Sequence, residues 1–251
     1  MKHRVALVTG TSSGIGAATA RMLVDRGWTV VGVARRAAAI DHPRYLHVSI
    51  DLADVRALPA AFAAKVGPTL ASARWDRVAL VNNAARADLL SGLERLDPGD
   101  LVEMLALNTV APMWLMGFVA RHTPRDASLR IVNVSTGAAV TAFPGLSAYG
   151  ASKAALRMAG QVFAAEFDVT GRPAPGPADT AILSYQPGIV DTPMQTAARS
   201  ADRDTFPSWQ LFQDFHARGL LVDPAVPAAE IVAFLESEDA PRLTERRLGG
   251  Q

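Results

Sequence analysis

The run Val5-Ala6-Leu7-Val8-Thr9-Gly10-Thr11-Ser12-Ser13-Gly14-Ile15-Gly16 starts as an apolar strand, breaks at a glycine-rich bend and passes directly into a helical pattern, Ile15 to Arg26. Glycine permits a tight bend and close backbone approach, and the helix that follows offers unpaired N–H groups and the positive end of its dipole. A pyrophosphate suits such a place, so Gly10, Ser12, Ser13, Gly14, Ile15 and Gly16 read as a dinucleotide cradle. The spacing is G-x-x-x-G-x-G, and taken by itself it also fits an ordinary strand-to-helix turn.

Working outward, the same rhythm repeats. Thr29 to Val33, Val78 to Val81, Ile131 to Val134 and Ile182 to Tyr185 read as buried strands, with Tyr45 to Ile50 as a further one. Val55 to Lys65, Asp100 to Arg121 and Ser147 to Asp168 carry apolar residues at helical intervals. Alternating strands and helices imply a doubly wound α/β domain, its parallel sheet of six to seven strands covered by helices on both faces. Gly171 to Pro177 is a Pro/Gly-rich surface loop, and residues 192–219 read as a helical flap over a site. The polar tail from Ser237 to Gln251 shows no convincing strand.

Composition narrows the function. At about 150 residues per domain, 251 residues are compatible with one large domain spanning 1–251. A hydrophobic share of 49% with 20% charge builds a folded core. Lys plus Arg number 25 against 24 acids, so no global field recruits nucleic acid or an anionic membrane. The absence of cysteine excludes disulfides, thiolate nucleophiles and Cys-ligated metals, and the five histidines show no H-E-x-x-H spacing, so no metal site is expected. The N-terminus does not read as a leader, and no uncharged apolar run approaches the roughly 18 to 20 residues of a membrane span. A cytoplasmic location is the expectation.

The second strand ends Val33-Ala34-Arg35-Arg36, and no acid occurs between Asp25 and Asp41 to accept from a ribose 2′-hydroxyl. Two guanidinium groups at that edge would instead pair with a 2′-phosphate, so the expected cofactor is NADP(H). Two solvated surface arginines are the alternative.

Tyr149 and Lys153 are four apart in a helical pattern and so share a face. A neighbouring ammonium favours the phenolate and would bring the phenol into range for acid–base work. The stripe Leu156, Gly160, Phe163 and Phe167 continues that face inward. A lysine that snorkels to water from the stripe's edge is the structural alternative.

The chain resembles the short-chain dehydrogenase/reductase family over nearly its full length. The motifs are Thr9 to Gly16, Asp51-Leu52, Asn82-Asn83-Ala84-Ala85, Leu107-Asn108, Tyr149-x-x-x-Lys153 and Pro187-Gly188-x-x-Asp191-Thr192. The segments Ile131 to Ala155 and Asp191 to Gln195 look most like its benzil reductase and sepiapterin reductase-like branch. The resemblance implies a Rossmann-type fold and reversible carbonyl reduction, with NADPH giving hydride and Tyr149 the proton. It also implies that Lys153 lowers the Tyr149 pKa and holds the nicotinamide ribose, and that Asn108 anchors a water relaying protons to Lys153. Asp51 would meet the adenine, and Asn83 and Ala84 the adenosine ribose. Ile189 and Thr192 would hold the carboxamide, with Leu52, Ala85, Pro187 and Gly188 completing the cofactor wall. Read from the residues alone, Asn108 is also a candidate core amide and Asp51 a candidate helix cap.

Two departures matter. Ala85 stands where the family usually has glycine, a change that should be tolerated. Counting 13 back from the tyrosine to the family's substrate-orienting serine lands on Thr136, with Ser135 the fallback. Trp209, Phe212 and Phe215, with Phe143, Pro144 and Leu146, would wall a bulky ketone or α-diketone, such as benzil or a pterin side chain. A homodimer or homotetramer through the Asp100 to Arg121 and Ser147 to Asp168 helices is expected. A silent dinucleotide sensor would be expected to lose the tyrosine or the lysine, and both are present. A serine hydrolase lacks its G-x-S-x-G elbow.

Overall fold

β-Branched strands alternate with apolar-faced helices, and in the computed structural model, which describes residues 3–171 and 173–250, they wind into one seven-stranded sheet. Met1, Lys2, Gln251 and Arg172, the last within the Pro/Gly-rich loop, lie outside the described residues. The chain runs β1 (Arg4–Thr9), α1 (Gly14–Asp25), β2 (Thr29–Val33), β3 (Tyr45–Val48), α2 (Leu58–Lys65), α3 (Gly67–Ala71) and β4 (Arg77–Asn82). It continues with α4 (Pro98–Leu105), α5 (Ala111–His122), β5 (Ser128–Val134), α6 (Ser147–Ala165) and β6 (Thr180–Gln186). The last elements are α7 (Pro193–Arg199), α8 (Trp209–Ala217), α9 (Ala225–Glu236) and β7 (Leu243–Arg247).

All strands are parallel in the order β3-β2-β1-β4-β5-β6-β7, so the winding reverses between β1 and β4. That reversal opens a crevice at the carboxyl ends of the strands, where ligands bind in such sheets. Strand side chains alternate between two cores. Val5, Leu7, Val31 and Leu80 pack with Phe62 of α2 and Leu115 and Phe118 of α5. Ala6, Val8, Val30 and Val81 pack with Leu23 of α1 and Ile231 and Leu235 of α9.

The tail departs from expectation, because Leu243–Arg247 forms the seventh strand. An edge strand needs only one inward face. Leu243 packs against the core, while Glu245 accepts from Arg157 Nη2 at 2.7 Å and Gln161 Nε2 at 3.0 Å on α6. These partners come from distant sequence, and the local pattern carries no trace of them.

The expected helix over Asp100 to Arg121 also has an interruption. Pro112 has no N–H, and its ring would clash with the carbonyl four residues earlier, that of Asn108. The chain answers with a widened turn over Ala106–Val110, in which the Ala111 N–H donates to the Ala106 carbonyl. The whole run Pro98–His122 is long and apolar enough to cross a membrane by length and composition, but 56% of its most apolar stretch is buried inside the protein. It is a core helix.

Candidate active site

Beneath the glycine turn, the segment just past β4 leaves no room for side chains. A Cβ at Gly10, where φ is +74°, would lie 2.7 Å from Asn83 Nδ2 and 2.9 Å from Ala84 Cα. One at Gly16 would overlap the Gly10 carbonyl oxygen. Thr9 Oγ1 accepts from the Asn83 and Ala84 N–H groups at 2.9 and 3.0 Å, and Asn83 Nδ2 donates to the Thr9 carbonyl at 2.9 Å. Ser13 makes no side-chain cap at the start of α1, and the first turn holds no acid. Its amides are therefore left for an anion. Gly10, Ser12, Ser13, Gly14 and Ile15 line a cavity of about 750 Å³, within the range of ligand sites. Gly16 is not on the cavity wall and instead lets the helix approach the turn.

Arg35 and Arg36 sit at the mouth of this cavity, both exposed. Arg35 Nη1 lies 3.9 Å from Asp51 Oδ2, and its side chain is 75% exposed. Asp51 also accepts from the Ala53 N–H, which closes a turn ahead of α2 and does not cap that helix. Leu52, Asn83, Ala84 and Ala85 continue the wall. Pro187, Gly188, Ile189 and Thr192 close it from the carboxyl end of β6. A Cβ on Gly14 would lie 3.0 Å from Thr192 Cγ2, so this segment reaches over the glycine turn.

Tyr149 and Lys153 face the same cavity from the first turns of α6, and Thr136 and Ser135 face it from the end of β5. Thr136 Oγ1 accepts from the Ala138 N–H at 3.3 Å, and its hydroxyl is near enough to the Tyr149 phenol to lower the phenol's pKa, while Ser135 Oγ is buried without a partner among the described residues. Both hydroxyls line the cavity beside the tyrosine. Lys153 is 2% exposed, and its ammonium donates to the Val134 carbonyl at 2.7 Å, 6.0 Å from the centre of the Tyr149 ring.

Burial bears on the acidity of both groups. Protein crowds the Tyr149 phenol even though part of the ring meets the cavity, and that burial pushes it up to about 12, with the Thr136 hydroxyl pulling the other way. Burial also pushes Lys153 down to about 8. Desolvation is the largest influence on both groups, so near neutral pH the pair is a neutral phenol beside an ammonium.

Asn108 does not line the cavity. Its fully buried amide donates to the Arg86 carbonyl at 2.8 Å and Ser152 Oγ at 3.1 Å, and accepts from the Arg86 N–H at 2.9 Å. Its side chain is therefore spent on the loop after β4. Its backbone carbonyl is different, because the N–H that an α-helix would aim at it belongs to Pro112, which has none.

Residues 192–219 fold as α7 and α8 against the loop before α6. Phe206 is fully buried with Leu146 and Ala198, and Ser208 Oγ donates to the Pro144 carbonyl at 2.7 Å. Phe143, Leu146, Leu211, Phe212 and Phe215 line the cavity. Trp209 and Pro144 do not, and the Trp209 indole donates to the Arg199 carbonyl at 3.1 Å behind the wall.

Sequence reading missed several further wall residues, among them Arg86, Gln195 and Arg247. Arg86 pairs with Asp88, Asp100 and Glu103, tying the loop after β4 to α4. Arg247 enters with β7, the strand whose polar sequence concealed it. Asp88 two residues from Arg86 was the one local signal available.

Comparison with known proteins follows this geometry. The short chain dehydrogenase family model matches residues 4–203. Benzil reductase ((S)-benzoin forming) of Bacillus cereus is 29% identical over 95% of this chain and 96% of its own. Sepiapterin reductase of Xenopus tropicalis is 28% identical over 92% and 91%. The crystal structure of the KRED1-Pglu enzyme, 27% identical, superposes with a TM-score of 0.76 over 96% of this chain and all of that one.

Proposed function

This chain belongs to the short-chain dehydrogenase family, an oxidoreductase family that binds nicotinamide dinucleotides, and we propose that it is an NADPH-dependent carbonyl reductase. The observation that carries the reading is that Tyr149, Lys153 and Thr136 open into the same cavity as the glycine turn and the two arginines.

Fit to the cofactor rests on three features of the chain. The turn at Gly10 and Gly16 has no space for a Cβ, the α1 amides are uncapped, and Arg35 and Arg36 are exposed beside it. Ser12, Ser13, Gly14 and Ile15 would hold the pyrophosphate, and Arg35 with Arg36 the 2′-phosphate. Asp51 and Leu52 would border the adenine, and Asn83, Ala84 and Ala85 the adenosine ribose. Pro187, Gly188, Ile189 and Thr192 would border the carboxamide. When bound, the reduced nicotinamide supplies a hydride.

The protein supplies the proton and the charge stabilisation. Tyr149, neutral near pH 7, donates its phenolic proton to the carbonyl oxygen as negative charge develops there. Thr136 donates to the same oxygen, and its χ1 is stiffened by its methyl. Lys153 holds its ammonium beside the phenol, fixed by the Val134 carbonyl. A water on the Asn108 carbonyl would return protons to Lys153.

Phe143, Leu146, Phe212 and Phe215 suit a bulky ketone or α-diketone, in keeping with the likeness to benzil and sepiapterin reductases. Exposed Val102, Leu105 and Met113 on α4 and α5, with Met158 and Val162 on α6, suit pairing with a second copy as a homodimer or homotetramer.

Incubation with benzil and related diketones, following cofactor oxidation, tests the reading. Turnover with NADPH well above that with NADH is expected. Cofactor binding without turnover of any diketone or ketone would defeat it.

A further inference from the structure

The glycine turn is gripped from two sides. On the β4 side, Thr9 and Asn83 fix it through the hydrogen bonds described above. On the other side stands Tyr45, the first residue of β3. Tyr45 pairs with Val30 of β2, and its ring extends diagonally across Gly32, two residues farther along, towards the turn that follows β1. There its hydroxyl shares a 3.0 Å hydrogen bond with the hydroxyl of Thr11, a fully buried residue at the centre of the turn.

Gly32 is what makes the crossing possible. A Cβ at this position would lie 2.6 Å from both Cζ and Cε2 of the Tyr45 ring, and closer still to its hydroxyl. Glycine is an unfavourable residue in a strand interior and often marks the close approach of another group. Here the group is the phenol reaching for Thr11. Burial raises the Tyr45 pKa above its ordinary value, against the pull of the Thr11 bond, so the phenol stays neutral.

We propose that Tyr45 is a positioning residue for the cofactor, its hydroxyl holding Thr11 so that the amides of the glycine turn are set for a pyrophosphate before it arrives. The inference rests on the reading of that turn as a dinucleotide cradle. Tyr45 lies outside the cavity wall and acts through Thr11. Presetting a binding loop lowers the ordering cost of binding, so its loss shows in affinity and leaves chemistry at saturation intact.

Tyr45→Phe keeps the ring and deletes the bond. With the full chain and a reducible diketone, the NADPH KM should rise about three- to tenfold, as expected for one neutral hydrogen bond, with kcat unchanged. Thr11→Val should behave alike, and the double variant should be no worse than either single one, because both remove the same contact. Wild-type KM in Tyr45→Phe overturns the proposal, as do additive penalties in the double variant. A lower melting temperature of the free protein with KM untouched also overturns it, assigning Tyr45 to packing alone. A wild-type chain that binds neither NADPH nor NADH removes the cradle reading itself. Binding by the wild type with equal binding by Tyr45→Phe removes only the inference about Tyr45.

Discussion

The two ends of the sheet use arginine in opposite ways. At the amino end, Arg130 is fully buried on β5 and spends its guanidinium on Asp179, 2.7 Å away, and on the Ser237 and Glu238 carbonyls just past α9. Arg77 beside it donates to Ser128, to the Leu235 carbonyl and to Glu238. Together they satisfy the negative end of α9. At the carboxyl end, Arg35 has one long ion pair to Asp51 and Arg36 has none among the described residues. A cation whose donors are all used holds the fold together. One whose donors are free can hold a ligand, and these two lie at the mouth of the cavity.

Substitutions at the two ends should separate stability from activity. The largest effect is expected at the upper end. Tyr149→Phe should lower carbonyl reduction by about 10² to 10⁴ while melting temperature and NADPH binding hold, as measured by steady-state kinetics beside thermal unfolding. Arg130→Met should do the reverse, costing about 3 kcal/mol of stability by denaturant titration because Asp179 and the carbonyls lose their donor, with turnover per folded molecule retained. If both variants lost activity and stability in parallel, the division of labour between the ends would be wrong.

Smaller effects sharpen the contrast. Replacing Arg35 and Arg36 together by serine should cut kcat/KM for NADPH about 10- to 100-fold and leave NADH nearly unchanged, with stability intact. An equal loss with both cofactors would mean the arginines do not read the 2′-phosphate. The mildest is a pH effect. Lys153 is charged below about 8 and Tyr149 protonated below about 12, so reduction should be flat under pH 7 and fall as pH rises through about 8. Lys153→Met should remove that fall, and a profile unaltered by the substitution would place the ionisation elsewhere.

Much of the site was legible because it is written in short, local motifs. The bend at Gly10 to Gly16 and the four-residue step from Tyr149 to Lys153 each carry their geometry in their spacing. The count back to Thr136 lands on a residue that lines the cavity, as its neighbour Ser135 also does. The acidity of the phenol was not legible from spacing. Spacing predicts that an ammonium is near, but desolvation depends on every atom that crowds the ring, and burial prevails here. The surroundings of Asn108 were illegible for a similar reason: its side-chain amide is consumed by Arg86, a partner 22 residues away. The signal in the sequence was Pro112, which withholds a donor from the Asn108 carbonyl.

The sequence alone determined the alternation of strands and helices, the glycine bend and the shared face of Tyr149 and Lys153, because hydrophobic period and turn chemistry act over a few neighbouring residues. Tertiary structure decided the rest. Leu243–Arg247 became a strand because β6 offered a free edge and α6 offered partners for Glu245. Arg77 and Arg130 became buried supports because α9 ends beside them. Tyr45 reached Thr11 because Gly32 left the path open. Each of these depends on which distant segments meet, and hydrogen bonding and desolvation respond to those neighbours whatever their separation along the chain.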